Sequence, residues 1–138
     1  MPLAPELLAA YEKTDYVVFG EPELVLRIGE PNQDLDELLA AEGASTAAFI
    51  TAANPGGRAR SHWQNEIANA ALVRSQTEAG FRCFEGEGRA PDGSWAEASV
   101  LVVGIPRADA EIVGRAFGQN AIVFLERGRP AELVLLAG

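Results

Sequence analysis

The chain has 138 residues, 48% of them apolar, with one cysteine, one histidine and a formal net charge of −9. That length fits one domain, 1–138, with enough apolar residues to build a core without staples. Cys83 alone excludes an internal disulfide framework, Cys83 with His62 leaves no soft-ligand zinc set, and the acidic balance argues against binding a nucleic-acid backbone, whose phosphates it would repel.

The opening run MPLAPELLAAYEKTDY has no basic region leading into an apolar one, so it does not read as a secretory signal. The strongest apolar run, Val100 to Val103, is far short of the roughly 20 residues a membrane helix needs. No membrane association is expected, and the expected compartment is the cytoplasm.

Residues 5 to 13 predict a short helix with Pro5 in its first turn. Tyr16 to Phe19 predicts a strand closed by Gly20. Glu23 to Ile28 predicts a half-buried strand, with Leu24, Leu26 and Ile28 on one face and Val25 and Arg27 on the other. Gly29 to Asn32 is a turn cluster. Asp34 then caps a helix, with Glu37 completing a capping box and Gly43 ending it. Thr46 to Ala53 is apolar on both faces and predicts a central strand. After the loop Asn54-Pro55-Gly56-Gly57-Arg58-Ala59-Arg60, Ser61 starts the longest helix, with Gln64 in the box position, Gly80 as its stop and Trp63, Ile67, Ala70 and Ala71 as its core stripe. Phe81 to Arg89 and Trp95 to Gly104 predict a hairpin around Ala90-Pro91-Asp92-Gly93-Ser94. Pro106 opens a helix reaching Phe117, Asn120 to Glu126 predicts a strand, and Glu132 to Leu136 the last one.

The order from about 46 to 126 is strand, helix, strand, strand, helix, strand, the ferredoxin-like βαββαβ pattern of an α+β fold. An N-terminal αββα extension precedes it and an extra C-terminal strand follows. The strands AAFITAA, VLVV and AIVFL are apolar on both faces, so something must cover each side of the sheet. The N-terminal elements, joining the sheet or lying across it, are candidates. A homodimer interface is the other.

Three groups of residues carry candidate chemistry. The loop 54–60 leads into a helix start, where free N–H groups and the positive dipole end suit a phosphate or carboxylate. Gly56 and Gly57 allow close approach there, Arg58, Arg60 and His62 add positive charge, and Ser61 stands at the helix start, although the pattern is not a Walker A loop. A second group is an acidic ladder. With a three-residue turn at 91–93, Ala90 pairs with Ser94, Glu87 faces Glu97 and Glu85 faces Ser99. Three such carboxylates would repel unless a divalent cation joined them, one stayed protonated, or arginines such as Arg89 or Arg115 paired them. A slip of one residue would separate the two sets. Thirdly, the amides of Gln119 and Asn120, with Asn54 and Asn65, can read a base edge or a peptide group, or simply tie down loops. Trp95 offers a stacking wall or mere cover. Ser61 and Ser99 lack a nucleophile's context, since no GxSxG elbow is present.

The run FITAANP, the helix segment QNEIANAAL, the hairpin FEGEGRAPDGSWAEASVLVVGI and GRAFGQNAIVF together resemble an uncharacterised bacterial family, domain of unknown function 3293, over roughly 46 to 136. Its pattern falls on Asn54, Pro55, Asn65, Asp92, Gly93, Trp95, Glu97, Ser99, Gly118, Gln119 and Asn120. A serine often follows the Asn-Pro in that family, where this chain has Gly56-Gly57. The resemblance implies no activity, substrate or cofactor.

The leading expectation is a small-molecule binding domain for a nucleotide-like or carboxylate metabolite, with loop 54–60 holding the anion, Gln119 and Asn120 reading a polar group, and Trp95 as a wall. One alternative is a metal-dependent hydrolase or transferase with a divalent cation on Glu85, Glu87 and Glu97. Another is a protein-interaction or dimerisation module.

Overall fold

The computed structural model describes residues 3–136, in which four helices and seven strands alternate: α1 (Pro5–Lys13), β1 (Asp15–Val18), β2 (Leu24–Leu26), α2 (Gln33–Ala41), β3 (Thr46–Ile50), α3 (His62–Glu78), β4 (Arg82–Arg89), β5 (Ala96–Val103), α4 (Arg107–Ala116), β6 (Ala121–Glu126) and β7 (Glu132–Leu135). A single 3₁₀ turn, Pro55–Gly57, interrupts the link from β3 to α3. Local chemistry accounts for most boundaries. Pro5 opens α1. Ser61 and Gln64 make the reciprocal capping box, with the Gln64 N–H donating to Ser61 Oγ (3.1 Å) and the Ser61 N–H to Gln64 Oε1 (3.0 Å). The cap of α2 is Asn32 rather than Asp34. Its Oδ1 accepts from the Leu35 N–H (2.9 Å) while its Nδ2 donates to the Val25 carbonyl (2.9 Å), so it ties the helix to β2 as well as capping it.

All seven strands join one antiparallel sheet in the order β2-β1-β4-β5-β3-β6-β7. The N-terminal hairpin extends one edge and β7 the other. The sheet curls until its edges meet: Ile28 forms a parallel bridge with Ala131, the Gly29 N–H donates to the Ala131 carbonyl (2.8 Å), and the Ala131 N–H donates to that of Glu30 (3.1 Å). Gly86 on β4 makes part of this curl feasible, because a Cβ there would overlap the Val17 carbonyl of β1.

Both faces are covered. On the inner face, enclosed by the curl, Phe49, Leu101, Val103, Val123 and Leu125 pack with Tyr16, Leu26 and Ala131, and α2 closes one end with Leu35 and Leu39. On the outer face, Ile50, Val100, Val102, Ile122 and Phe124 pack beneath α3 and α4 through Leu72 and Ala110. Alternation along β3, β5 and β6 sends successive apolar residues to opposite cores, which explains why these strands read as apolar on both sides.

The orientation of α3 departs from the hydrophobic pattern. Trp63 and Ile67 are 68% and 53% exposed, whereas Asn69, Leu72 and Gln76 face inward. Asn69 is needed there: its Oδ1 accepts from the Ala52 N–H (2.9 Å) and its Nδ2 donates to the Asn65 and Ala98 carbonyls (both 3.2 Å). The backbone leaving β3 has no ladder partner at this point, and leaving it unbonded would cost more than exposing an isoleucine. None of the described helices is long and apolar enough to cross a membrane.

Candidate functional site

The hairpin register decides which polar residues can meet. The loop holds four residues, 91–94, rather than three: Ala90 pairs with Trp95, and the Asp92 carboxylate accepts from the Ser94 N–H (2.9 Å), keeping Ser94 inside the turn. Gly88 therefore faces Glu97, Glu87 faces Ala98 and Glu85 faces Val100. Relative to the three-residue expectation this is a one-residue slip, and it places Glu85 and Glu87 on the outer face and Glu97 on the inner one. The expected metal set is thereby broken up. Glu87 is instead bonded by Arg89 Nε (2.8 Å), and Glu85 lies exposed. No cluster of three or more histidine, cysteine, aspartate or glutamate side chains suited to a metal occurs among the described residues.

Along β5 the inner-facing positions run Glu97, Ser99, Leu101, Val103, polar at one end and apolar at the other. The polar end opens into a cleft of about 70 Å³ at the mouth of the curled sheet, opposite the end filled by α2. Tyr11 of α1 and Tyr16 of β1 wall it on one side, Phe49 and Thr51 on another, and Gln119 and Trp95 at the rim. Gly88, the cross-strand partner of Glu97, also lines the cleft, beside Thr14 and Trp95. The Tyr16 hydroxyl donates to the Tyr11 carbonyl (2.6 Å), which fixes α1 against the opening.

Glu97 is the charged residue of this cleft. Asn54 Nδ2 donates to its Oε2 (2.9 Å), and the carboxylate makes no ion pair among the described residues. Burial pushes its carboxyl above the ordinary range, and the Asn54 amide offsets part of that rise. The Tyr11 phenol is also raised, first by burial and then by the nearby Glu97 charge, against the opposing pull of the Asn120 amide beside it. Burial likewise raises Tyr16. Both tyrosines therefore stay neutral beside the carboxylate.

Asn54 owes its position to an unusual backbone. It takes the left-handed conformation (φ 46°, ψ 57°), tolerated by asparagine better than by most residues. Its N–H donates to Asn65 Oδ1 (2.9 Å), while its own Oδ1 accepts from Asn65 Nδ2 (3.0 Å) and from the Arg60 N–H (2.9 Å). The loop that follows is strapped to the α4–β6 junction. The Gly56 N–H donates to the Gly118 carbonyl (2.7 Å), and Gln119 Nε2 donates to the carbonyls of Ala53 (3.1 Å) and Phe117 (3.2 Å).

Of the residues singled out in the sequence, Asn54, Asn65 and Glu97 form one connected network, Gln119 and Trp95 line the cleft, and Asn120 stands beside Tyr11. Gly56, Gly57, Arg58, Arg60 and Ser61 do not form the expected anion cradle. The N–H groups of all five already have partners, those of Gly57 and Arg58 on the Asn54 and Pro55 carbonyls, and the Arg58 and Arg60 side chains are exposed, with no ion pair among the described residues. Tyr11, Tyr16, Thr51 and Asn69 were not singled out. Asn69 carried a usable signal, since it lies four residues beyond Asn65 on the same helix face. Tyr11 carried none, because only the long-range docking of α1 brings it to the cleft.

No curated protein and no solved structure matches the chain. The model of a family described as protein of unknown function, DUF3293, matches residues 50–122, a span holding Asn54, Asn65, Glu97, Gln119 and Asn120 and covering more than half of the sequence, and the chain belongs to that family.

Proposed function

We propose that this chain is a single-domain small-molecule binding protein whose ligand seats a polar head group in the cleft against Glu97. The observation that carries this reading is Glu97 itself: a half-buried carboxylate held by one neutral amide, facing open space between aromatic walls. A carboxylate kept only for folding would normally have a cationic partner or lie in water. The ferredoxin-like reading of 46–126 supports the placement. Within the sheet, β4-β5-β3-β6 are adjacent and antiparallel, with α3 following β3 and α4 following β5, so the loops after β3 and α4 reach the same end. A carboxylate metabolite no longer suits this site, because the lining brings no cation to meet it. Of a nucleotide-like ligand, the cleft would take an amino group on the edge of the base rather than the phosphate.

The test is a fragment screen followed by amide and indole resonances in two-dimensional NMR. Binding should shift the Trp95 indole and the Gln119 and Asn54 side-chain amides together. Hits whose shifts fall elsewhere, or no hits at all, would reject the reading.

A second reading, a dimerisation module, draws on the exposed Trp63 and Ile67 of α3 and on an open groove of about 740 Å³ beside that helix, lined by Phe19, Val73, Ala98 and Val100. The occupant that charge favours is a second copy. Two α3 helices laid antiparallel about Ala70 set Glu66 of each against Arg74 of the other, and Arg74 has no ion pair among the described residues. Light scattering at high protein concentration tests it. A strict monomer, or a dimer that survives Arg74→Glu, removes this reading.

A further inference from the structure

Among the described residues that line the cleft, Glu97 is the sole acid and there is no lysine, arginine or histidine. Four aromatic side chains, Tyr11, Tyr16, Phe49 and Trp95, share the space with it. We propose that the cleft takes a cationic nitrogen head group, an ammonium, amidinium or guanidinium, with Glu97 as counter-ion and the aromatic side chains as walls. This rests on the cleft being a ligand site and names the chemistry that would fill it.

Three physical arguments converge. The carboxylate has lost part of its hydration and received only a neutral amide in return, so an incoming cation supplies the interaction the fold leaves out. Aromatic faces attract cations through their quadrupoles, most strongly where water is thin. The chain's net charge of −9 also draws cations and repels anions before contact. Size adds a restriction. A cleft of about 70 Å³ holds the volume of roughly two waters at about 30 Å³ each, enough for a few non-hydrogen atoms but not a ring system. The rest of the ligand must leave past Trp95, which is 45% exposed at the rim.

Binding should be coupled to protons. The groups facing Glu97 are Tyr11 from α1, Tyr16 from β1, and the uncharged amides of Asn54 and Gln119, so no other ionised side chain competes. A cation prefers the ionised carboxylate. Its affinity should therefore rise as pH climbs through the Glu97 titration, which burial has moved upward, and level off above it.

Benzamidine, benzamide and benzoate form a cationic, neutral and anionic series of nearly one shape. Calorimetric and NMR titrations of the full chain should show benzamidine binding about tenfold or more tightly than benzamide, with benzoate not binding. Glu97→Gln should remove that preference, and Trp95→Ala, at the exposed rim, should weaken benzamidine while leaving the fold intact. If benzamide binds as well as benzamidine in the cleft, or Glu97→Gln leaves benzamidine unaffected, the cation assignment fails while the cleft remains a ligand site. If none of the three, nor methylammonium or guanidinium, moves the Trp95 indole resonance, both the assignment and the site fail.

Discussion

Asn54 holds the site together through both its side chain and its backbone, and two substitutions separate those contributions. Asn54→Ala removes the bond to the Glu97 carboxylate and the two bonds accepted by Oδ1. A bond to a charged group contributes about 1.5 kcal/mol or more and each neutral one about 1, less at the exposed Arg60 end, so roughly 3 kcal/mol is lost. Alanine must also hold the left-handed backbone (φ 46°), adding about 1 kcal/mol. Asn54→Gly loses the same bonds without that strain. The expected destabilisation is thus about 4 kcal/mol for alanine and about 3 for glycine, read from urea unfolding at neutral pH followed by tryptophan fluorescence and circular dichroism. If alanine and glycine agree within about 0.5 kcal/mol, the backbone argument is wrong. If both lose less than about 1 kcal/mol, the network contributes far less than its geometry implies.

Gly118 has φ 72°, and a Cβ there would lie 2.7 Å from Pro55 Cβ. Gly118→Ala should therefore lower stability by about 2 kcal/mol or more and disturb the cleft, visible as shifts of the Gln119 side-chain amide. Glu97 gives a pH signature. Its folded pKa lies above its unfolded value, near 4.5, so the folded state holds the extra proton between the two and stability falls as pH rises through that window. Glu97→Gln removes this slope. Melting temperatures across pH should show the variant gaining on the parent from mildly acidic to neutral pH, and parallel curves would refute the assignment. The two sides of α3 should also respond differently: Leu72→Ala, fully buried, should cost about 2–5 kcal/mol, whereas Trp63→Ser should change monomer stability by no more than about 0.5 kcal/mol.

What the sequence made legible was local or periodic. The Ser61–Gln64 box, the proline at the start of α1 and the doubly apolar runs of β3, β5 and β6 are each decided within a few residues. The register of the hairpin was not, because one hydrogen bond from the Ser94 N–H to Asp92 determines whether the loop holds three residues or four, and that single count sends Glu97 to the opposite face from Glu85 and Glu87. The burial of α3 failed for another reason. Hydrophobicity favoured Trp63 and Ile67, but the backbone from Ala52 to Asn54 needed hydrogen-bonding partners, and Asn65 and Asn69 could meet that need only by facing inward. The polar residues were legible as a set by composition and spacing. Their partners Tyr11 and Tyr16 were not, since the sheet must curl and α1 must dock before they approach Glu97.

The position of Glu97 is hard to explain by folding. The inner face of β5 changes from carboxylate to leucine and valine within one strand, and β3 beside it follows the same gradient, from Thr51 to Phe49 to Ala47. The apolar end is sealed by α2 and the polar end stays open. A glutamine at 97 would accept the same bond from Asn54 and fill nearly the same volume without burying charge, so the carboxylate should lower stability at neutral pH relative to its closest isostere, the difference that the Glu97→Gln melting curves measure. On the cation reading proposed above, its useful property is the negative charge itself, which has an effect only when something positive, or a proton, comes to the mouth of the sheet. Asn54, Asn65 and Asn69 fit that view: they anchor the loop so that this charge is aimed into the cleft rather than released to water.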